Sequence, residues 1–215
     1  MALDPRFRGF PDDAIAFYEG LEADNSKAYW TANKQVYDEV VPAPMQALLD
    51  AVEPEFGAGS IFRPYRDVRF SRDKSPYKTH IGATIGELQG AVYYVQLSAD
   101  GLMAAPGLHG PDPSQVERFR EAVDDDSAGG DLLGIVEAVE KAGYEVGGEA
   151  LKTAPRGYPL DHPRIRFLRH KGLYASKSWP PAKWLGTAKA LDRVIETWRG
   201  LAPLTQWLDK HVGSA

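Results

Sequence analysis

The 215-residue chain has no cysteine, which excludes disulfides, thiolate metal sites and cysteine nucleophiles together. Long apolar runs are missing too. None approaches the ~18 consecutive residues that a membrane-spanning helix needs, so no membrane partner is expected. The opening MALDPRFRGF has no apolar run behind its charges, so no signal peptide is expected and a cytoplasmic protein is the simple reading. Histidine is scarce. His80, His109, His162, His170 and His211 fall into neither H-x-H nor H-E-x-x-H spacing, so no zinc site is expected. Neither G-x-x-x-x-G-K-S/T nor G-x-G-x-x-G occurs, which removes the standard nucleotide-loop arguments and leaves no cofactor indicated.

Charge is present in quantity but unevenly placed. The formal net charge is -5, typical of a soluble acidic protein. Residues 62–80, however, carry six Lys/Arg against two Asp, and residues 150–183 carry eight against one. These islands hold +4 and +7, which leaves -16 for the rest of the chain. A wholly basic domain attracts nucleic acid through its net charge. Two basic islands in an acidic body point instead to a local site.

Periodicity gives an α+β fold, an antiparallel sheet meander packed against N-terminal and C-terminal helices. The first 60 residues read as helices, one capped at Asn25-Ser26 and one carrying Met45, Leu48, Leu49 and Val52 and ending near Gly57. From about residue 65 the period becomes two. Strands are expected at 66–73, 79–85, 91–98 and 102–105, with a hairpin turn at Ala99-Asp100-Gly101. Connections this short cannot accommodate parallel crossovers. Asp112-Pro113 caps the next helix. Residues 124–130 read as a polar loop before a helix that starts at Asp131 and stops at Gly143. A basic helix over 163–170, a return to the sheet at 173–179 and helices over 182–199 and 203–212 complete a single domain spanning 1–215.

The densest feature is Arg66-Asp67-Val68-Arg69-Phe70-Ser71-Arg72-Asp73-Lys74-Ser75-Pro76-Tyr77-Lys78. With this block the chain resembles a widespread bacterial and fungal family, a conserved domain of unknown function marked by R-D-x-R-F-S-x-D-K-x-P-Y-K. Asn25, Trp30 and Tyr37 add to the resemblance. So do Leu151-Lys152, Pro155, Gly157-Tyr158, Asp161-His162-Pro163 and Lys171. It extends over nearly the whole chain and implies one compact unit, with no reaction or cofactor attached.

Taken as a strand, residues 66–73 put Arg66, Val68, Phe70 and Arg72 on one face and Asp67, Arg69, Ser71 and Asp73 on the other. The second face, with Arg66 at the strand end and Lys74, Tyr77 and Lys78 beyond it, could hold an anionic group while the carboxylates orient Arg69. In the second island, Lys152, Arg156 and Lys171 are the ligand candidates. Asp73 or His162 is the candidate proton carrier, His162 with Asp161 to fix its tautomer. The leading expectation is a cleft for a small phosphate- or carboxylate-bearing molecule, catalytic or not. Three readings stand beside it. The pairs could be an ion-pair ladder that only fastens the sheet. The islands could form a nucleic-acid strip with Tyr77 or Trp179 stacking on bases, or a scaffold surface for an acidic partner. Oligomeric state is not legible.

Overall fold

The computed structural model describes residues 7–69, 71–86 and 91–213; the expectations for Phe70 and for the link at 87–90 lie outside the described residues. The chain folds into two compact units, each assembled from three stretches of sequence. The fold is α+β with antiparallel pairing, as the periodicity implies.

The first unit comprises Met1–Ile85, Tyr94–Ala104 and Ser178–Glu196. It opens with helices α1 (Asp12–Ala23), α2 (Lys27–Val40) and α3 (Pro42–Phe56). The Ser26 hydroxyl accepts from the Tyr29 N–H at 3.1 Å and starts α2, a cap contributing about 1 kcal/mol. Strands β1 (Gly59–Ile61), β2 (His80–Ile85), β3 (Tyr93–Ser98) and β4 (Gly101–Ala104) follow, ordered β1-β2-β3-β4. Ile61 pairs with Ala83 in the first ladder and Val95 with Ala104 in the third. Alternation along β2 puts Ile81, Ala83 and Ile85 on the face that packs against α3. His80, Gly82 and Thr84 fall on the other. There Tyr94 lies so close over Gly82 that a Cβ would stand 2.7 Å from its hydroxyl.

The second unit contains helices α4 (Pro113–Asp124), α5 (Asp126–Lys141), α6 (Ile165–Leu168) and α8 (Ala202–His211), together with β5 (Glu145–Gly147), which pairs with the start of β6 (Tyr174–Trp179). Helix α7 (Lys189–Gly200) begins in the first unit and ends in this one. Phe119, Leu132, Val136, Phe167, Leu204 and Trp207 form the centre of its core. Burying each such side chain contributes about 1.5–3 kcal/mol. Asp112 caps α4 with a full capping box involving Gln115, and Gly143 ends the α5 turn at φ +82°, a conformation glycine adopts without strain.

Three differences from the sequence reading have physical causes. Helix α5 begins at Asp126 rather than Asp131, because the Asp125 carboxylate accepts from the N–H groups of Ser127 and Ala128 at 3.0 and 2.8 Å. Gly129, which looks like loop punctuation, is needed inside the helix; a Cβ there would meet the Val123 carbonyl oxygen at 2.2 Å. Residues 66–69 and 71–76 carry no strand. The expected alternation survives locally as exposure, with Arg66 and Val68 half-buried and Asp67 and Arg69 exposed, but no neighbouring strand accepts the ladder there. The short strands β1 and β5 were not anticipated, since three residues are too few to establish a period.

Candidate functional site

Residues 62–79 form a long excursion between β1 and β2, and two fastenings define its shape. Tyr65 and Tyr77 form an antiparallel bridge, flanked by Arg66 N–H to Pro76 O at 2.9 Å and Lys78 N–H to Pro64 O at 2.8 Å. Asn25 in turn clamps the Tyr77 backbone, donating to its carbonyl and accepting from its N–H, both at 3.1 Å. Tyr77 is buried with its ring stacked on Trp30 at 4.3 Å and 8°. Its role here is packing.

Within the tip of the excursion, each carboxylate is used internally. Asp67 accepts from the Arg69 side chain at 2.7 and 3.0 Å, and the Arg69 hydrogen bonds hold its carboxyl below the usual range. Asp73 accepts from the Ser75 hydroxyl at 2.6 Å and the Ser75 N–H at 2.9 Å, and pairs with Arg66. Those bonds, Ser75 first, hold it far below the usual range, which is the wrong direction for a proton carrier near neutral pH. Lys74 donates to the Val68 carbonyl at 2.9 Å. The Ser71 N–H also points to Val68 O, at a long 3.4 Å. The structure therefore joins Arg66 to Asp73 and Asp67 to Arg69. The one alternating face expected from strand parity does not form.

At the base of the excursion the opposite holds. Between the pairs Ile61↔Ala83 and Tyr65↔Tyr77, four residues on one side advance against six on the other. The two extra residues form a bulge, a device that re-aims side chains. It turns Lys78 over the Phe62 ring at 4.9 Å, beside Arg63 and His80. Burial, then the Arg63 charge, lowers the Lys78 pKa. Burial, then the Lys78 charge, lowers that of His80. Arg63 also reaches the Asp67 carboxyl electrostatically, but among the described residues no carboxylate is within ion-pair distance of Arg63, Lys78 or His80. Phe62, 38% exposed, and Tyr94 lie 6.3 Å apart on the same face. The Tyr94 hydroxyl donates to Gln96 at 2.7 Å, and burial pushes its pKa up to about 12.

Sequence reasoning missed Arg63 and His80 as members of this group. The sequence signal for them is their place inside the 62–80 charge island; which side of the segment each falls on is set by the bulge, which strand parity does not report.

The second island is built differently. Arg164 donates to the carbonyls of Val123 and Asp124, both at 2.6 Å, and pairs with Asp126 at 3.1 Å. Arg166 pairs with Glu140 and Lys171 with Glu149. His162 meets Asp124 at 3.0 Å through Nε2 while its Nδ1 accepts from the Arg164 N–H at 3.1 Å. Its partner is thus Asp124 rather than Asp161, and both ring nitrogens are engaged. The buried Arg169 Nε and His170 Nδ1 have no hydrogen-bond partner among the described residues. Lys152 and Arg156 are exposed, with no ion pair among the described residues. Trp179 packs edge-on to Trp184 at 6.1 Å, in the first unit.

Among the described residues, no group of three or more His, Asp or Glu is placed to hold a metal ion, and no helix is long and apolar enough to cross a membrane. A family model for conserved hypothetical proteins, DUF2461, matches residues 13–207. The chain belongs to that family. Neither the curated proteins nor the solved structures contain a match.

Proposed function

For this DUF2461 protein, we propose a binding function: Arg63, Lys78 and His80 hold the phosphate or carboxylate of a small molecule. The observation that carries the reading is two cations, Arg63 and Lys78, beside the His80 ring, with no carboxylate in ion-pair distance among the described residues and with Lys78 and His80 partly withdrawn from water. The Arg63 and Lys78 charges repel at close range, and desolvation adds to the penalty on a charged Lys78 or His80. A bound anion reverses both effects and gains charge-assisted hydrogen bonds. Phe62, under Lys78 and 38% exposed, flanks the cluster and offers apolar contact to the rest of the ligand. Arg66, Asp67, Arg69, Ser71, Asp73 and Lys74 act as the fastening that keeps the excursion in shape, and Tyr77 as the anchor beneath it.

This reading rests on the first unit alone. A nucleic-acid strip is less well supported, because the Tyr77 ring that was to stack on a base is stacked on Trp30. A scaffold for an acidic partner would use the exposed Lys152 and Arg156 and predicts no small-molecule effect.

Calorimetric titration and thermal shift with inorganic phosphate, pyrophosphate, nucleoside monophosphates and citrate test the proposal. Saturable binding by one of these classes, weakened about tenfold or more in Lys78→Ala and in Arg63→Ala, is expected. Absence of binding by every class, or binding that both variants retain in full, would refute it.

A further inference from the structure

A concavity lies in the second unit, along the groove between α5 and α8. The Trp207 Nε1–H donates to Ala128 O at 2.9 Å near the start of α5. A Cβ on Gly200, just before α8, would meet the Tyr144 hydroxyl just beyond α5. The two helices therefore run antiparallel. The groove has a volume of about 720 Å³, within the ~300–1,000 Å³ range of small-molecule sites. Ile135, Ala138, Val139, Tyr144, Pro203 and Trp207 give it an apolar wall. Its polar groups gather at the end where α5 begins and α8 finishes: Lys210, His211, Gln206 and a single carboxylate, Asp131. His211 is packed on Trp207 at 4.9 Å between ring centres. Among the described residues, Lys210 and Gln206 make no hydrogen bond or ion pair.

Two glycines sharpen the point. Gly130 and Gly134 line the groove inside α5, and a Cβ on either would meet nothing within 4 Å. Neither the packing of this chain nor the helical backbone calls for glycine at these positions. Each nonetheless destabilises the helix relative to alanine. The contrast is Gly129 next door, where neighbouring atoms fill the space. The open volume over Gly130 and Gly134 is what an occupant lying against the α5 backbone requires.

We infer that this groove binds a small amphipathic carboxylate, its apolar body along Ile135, Val139 and Trp207 and its head at Lys210 and Gln206. Asp131 at the same end disfavours a dianion, so the head is a monoanion and not a phosphate. The site is separate in residues and in ligand from the cationic cluster of the first unit.

The probes are decanoate, decanol and decylamine, followed through tryptophan fluorescence and calorimetry on the full chain. Affinity is expected to fall in that order, to drop about tenfold for decanoate in Lys210→Ala, and to be lost in Gly134→Leu. Gly134→Ala is expected to raise the Tm of the free protein, which shows that the position tolerates a side chain even if Gly134→Leu folds poorly. Decanoate binding should be unaffected in Arg63→Ala. Preference for decylamine would assign the polar end to Asp131 and overturn the head group. Binding unchanged in both Lys210→Ala and Gly134→Leu would overturn the site. So would a dimer that Gly134→Leu dissociates while decanoate fails to bind, since a second copy would then be the occupant.

Discussion

The two basic islands are similar in composition and opposite in use. Half of the eight Lys/Arg of the second are spent on the protein itself, Arg164, Arg166 and Lys171 on carboxylates and Lys177 on the Gly143 carbonyl. Arg164, Arg166, Lys171 and His162 each pair with a carboxylate, three of them on α4 or α5. The first island divides. Its tip closes on itself through Arg66–Asp73 and Asp67–Arg69, while its base leaves Arg63, Lys78 and His80 without an ion-paired carboxylate among the described residues. A surplus of positive charge in a sequence therefore says little until the carboxylates are located. A surplus that survives in the folded state is what points to a ligand.

The sharpest way to break the comparison is Arg164→Ala. The side chain is 12% exposed and satisfies two carbonyls that would be left without their donor. A loss of about 2–4 kcal/mol in denaturant unfolding is expected, with anion binding at the first island unchanged. Lys78→Ala should do the reverse, weakening anion binding about tenfold or more while stability stays equal or rises, because a like-charge contact is removed. Stability that falls as steeply as in Arg164→Ala would mean that Lys78 is also a fastener.

Acidification probes both units. His80, His109 and His170 all have pKa values lowered in the folded state, chiefly by burial. The unfolded chain therefore binds more protons below the ordinary value of about 6.5. Stability is then highest above that pH and declines as pH falls from it towards the folded values. Urea midpoints measured at pH 7.5 and pH 5 check the slope, and His80→Gln should reduce it. The smallest effect belongs to Asp73→Asn. Its pair with Arg66 is exposed, and exposed pairs contribute little, so the Tm should stay within measurement error.

Much of the fold was legible because its signals are local. Ser26 and Asp112 cap helices through bonds to N–H groups three residues on, and the stretch 91–98 is rich in the β-branched and aromatic residues that favour strands. The first strand was misplaced because 66–73 has strand-like alternation but no partner beside it, which periodicity alone cannot reveal. The site was legible as a neighbourhood and not as a list. The sequence marks the 62–80 excursion by charge. Which charges cancel depends on Asp73 reaching back to Arg66 and on a two-residue bulge before β2. That bulge is a matter of strand register. Asn25, the clamp on Tyr77, is 52 residues distant in sequence.

The most direct test of the unneutralised cluster is the His80 titration, followed by NMR of its imidazole with and without saturating inorganic phosphate. The free protein should show a pKa below the ordinary histidine value, as burial and Lys78 dictate, and phosphate should raise it. A His80 pKa that phosphate leaves unmoved, at concentrations where other resonances saturate, would contradict an anion site at Arg63, Lys78 and His80.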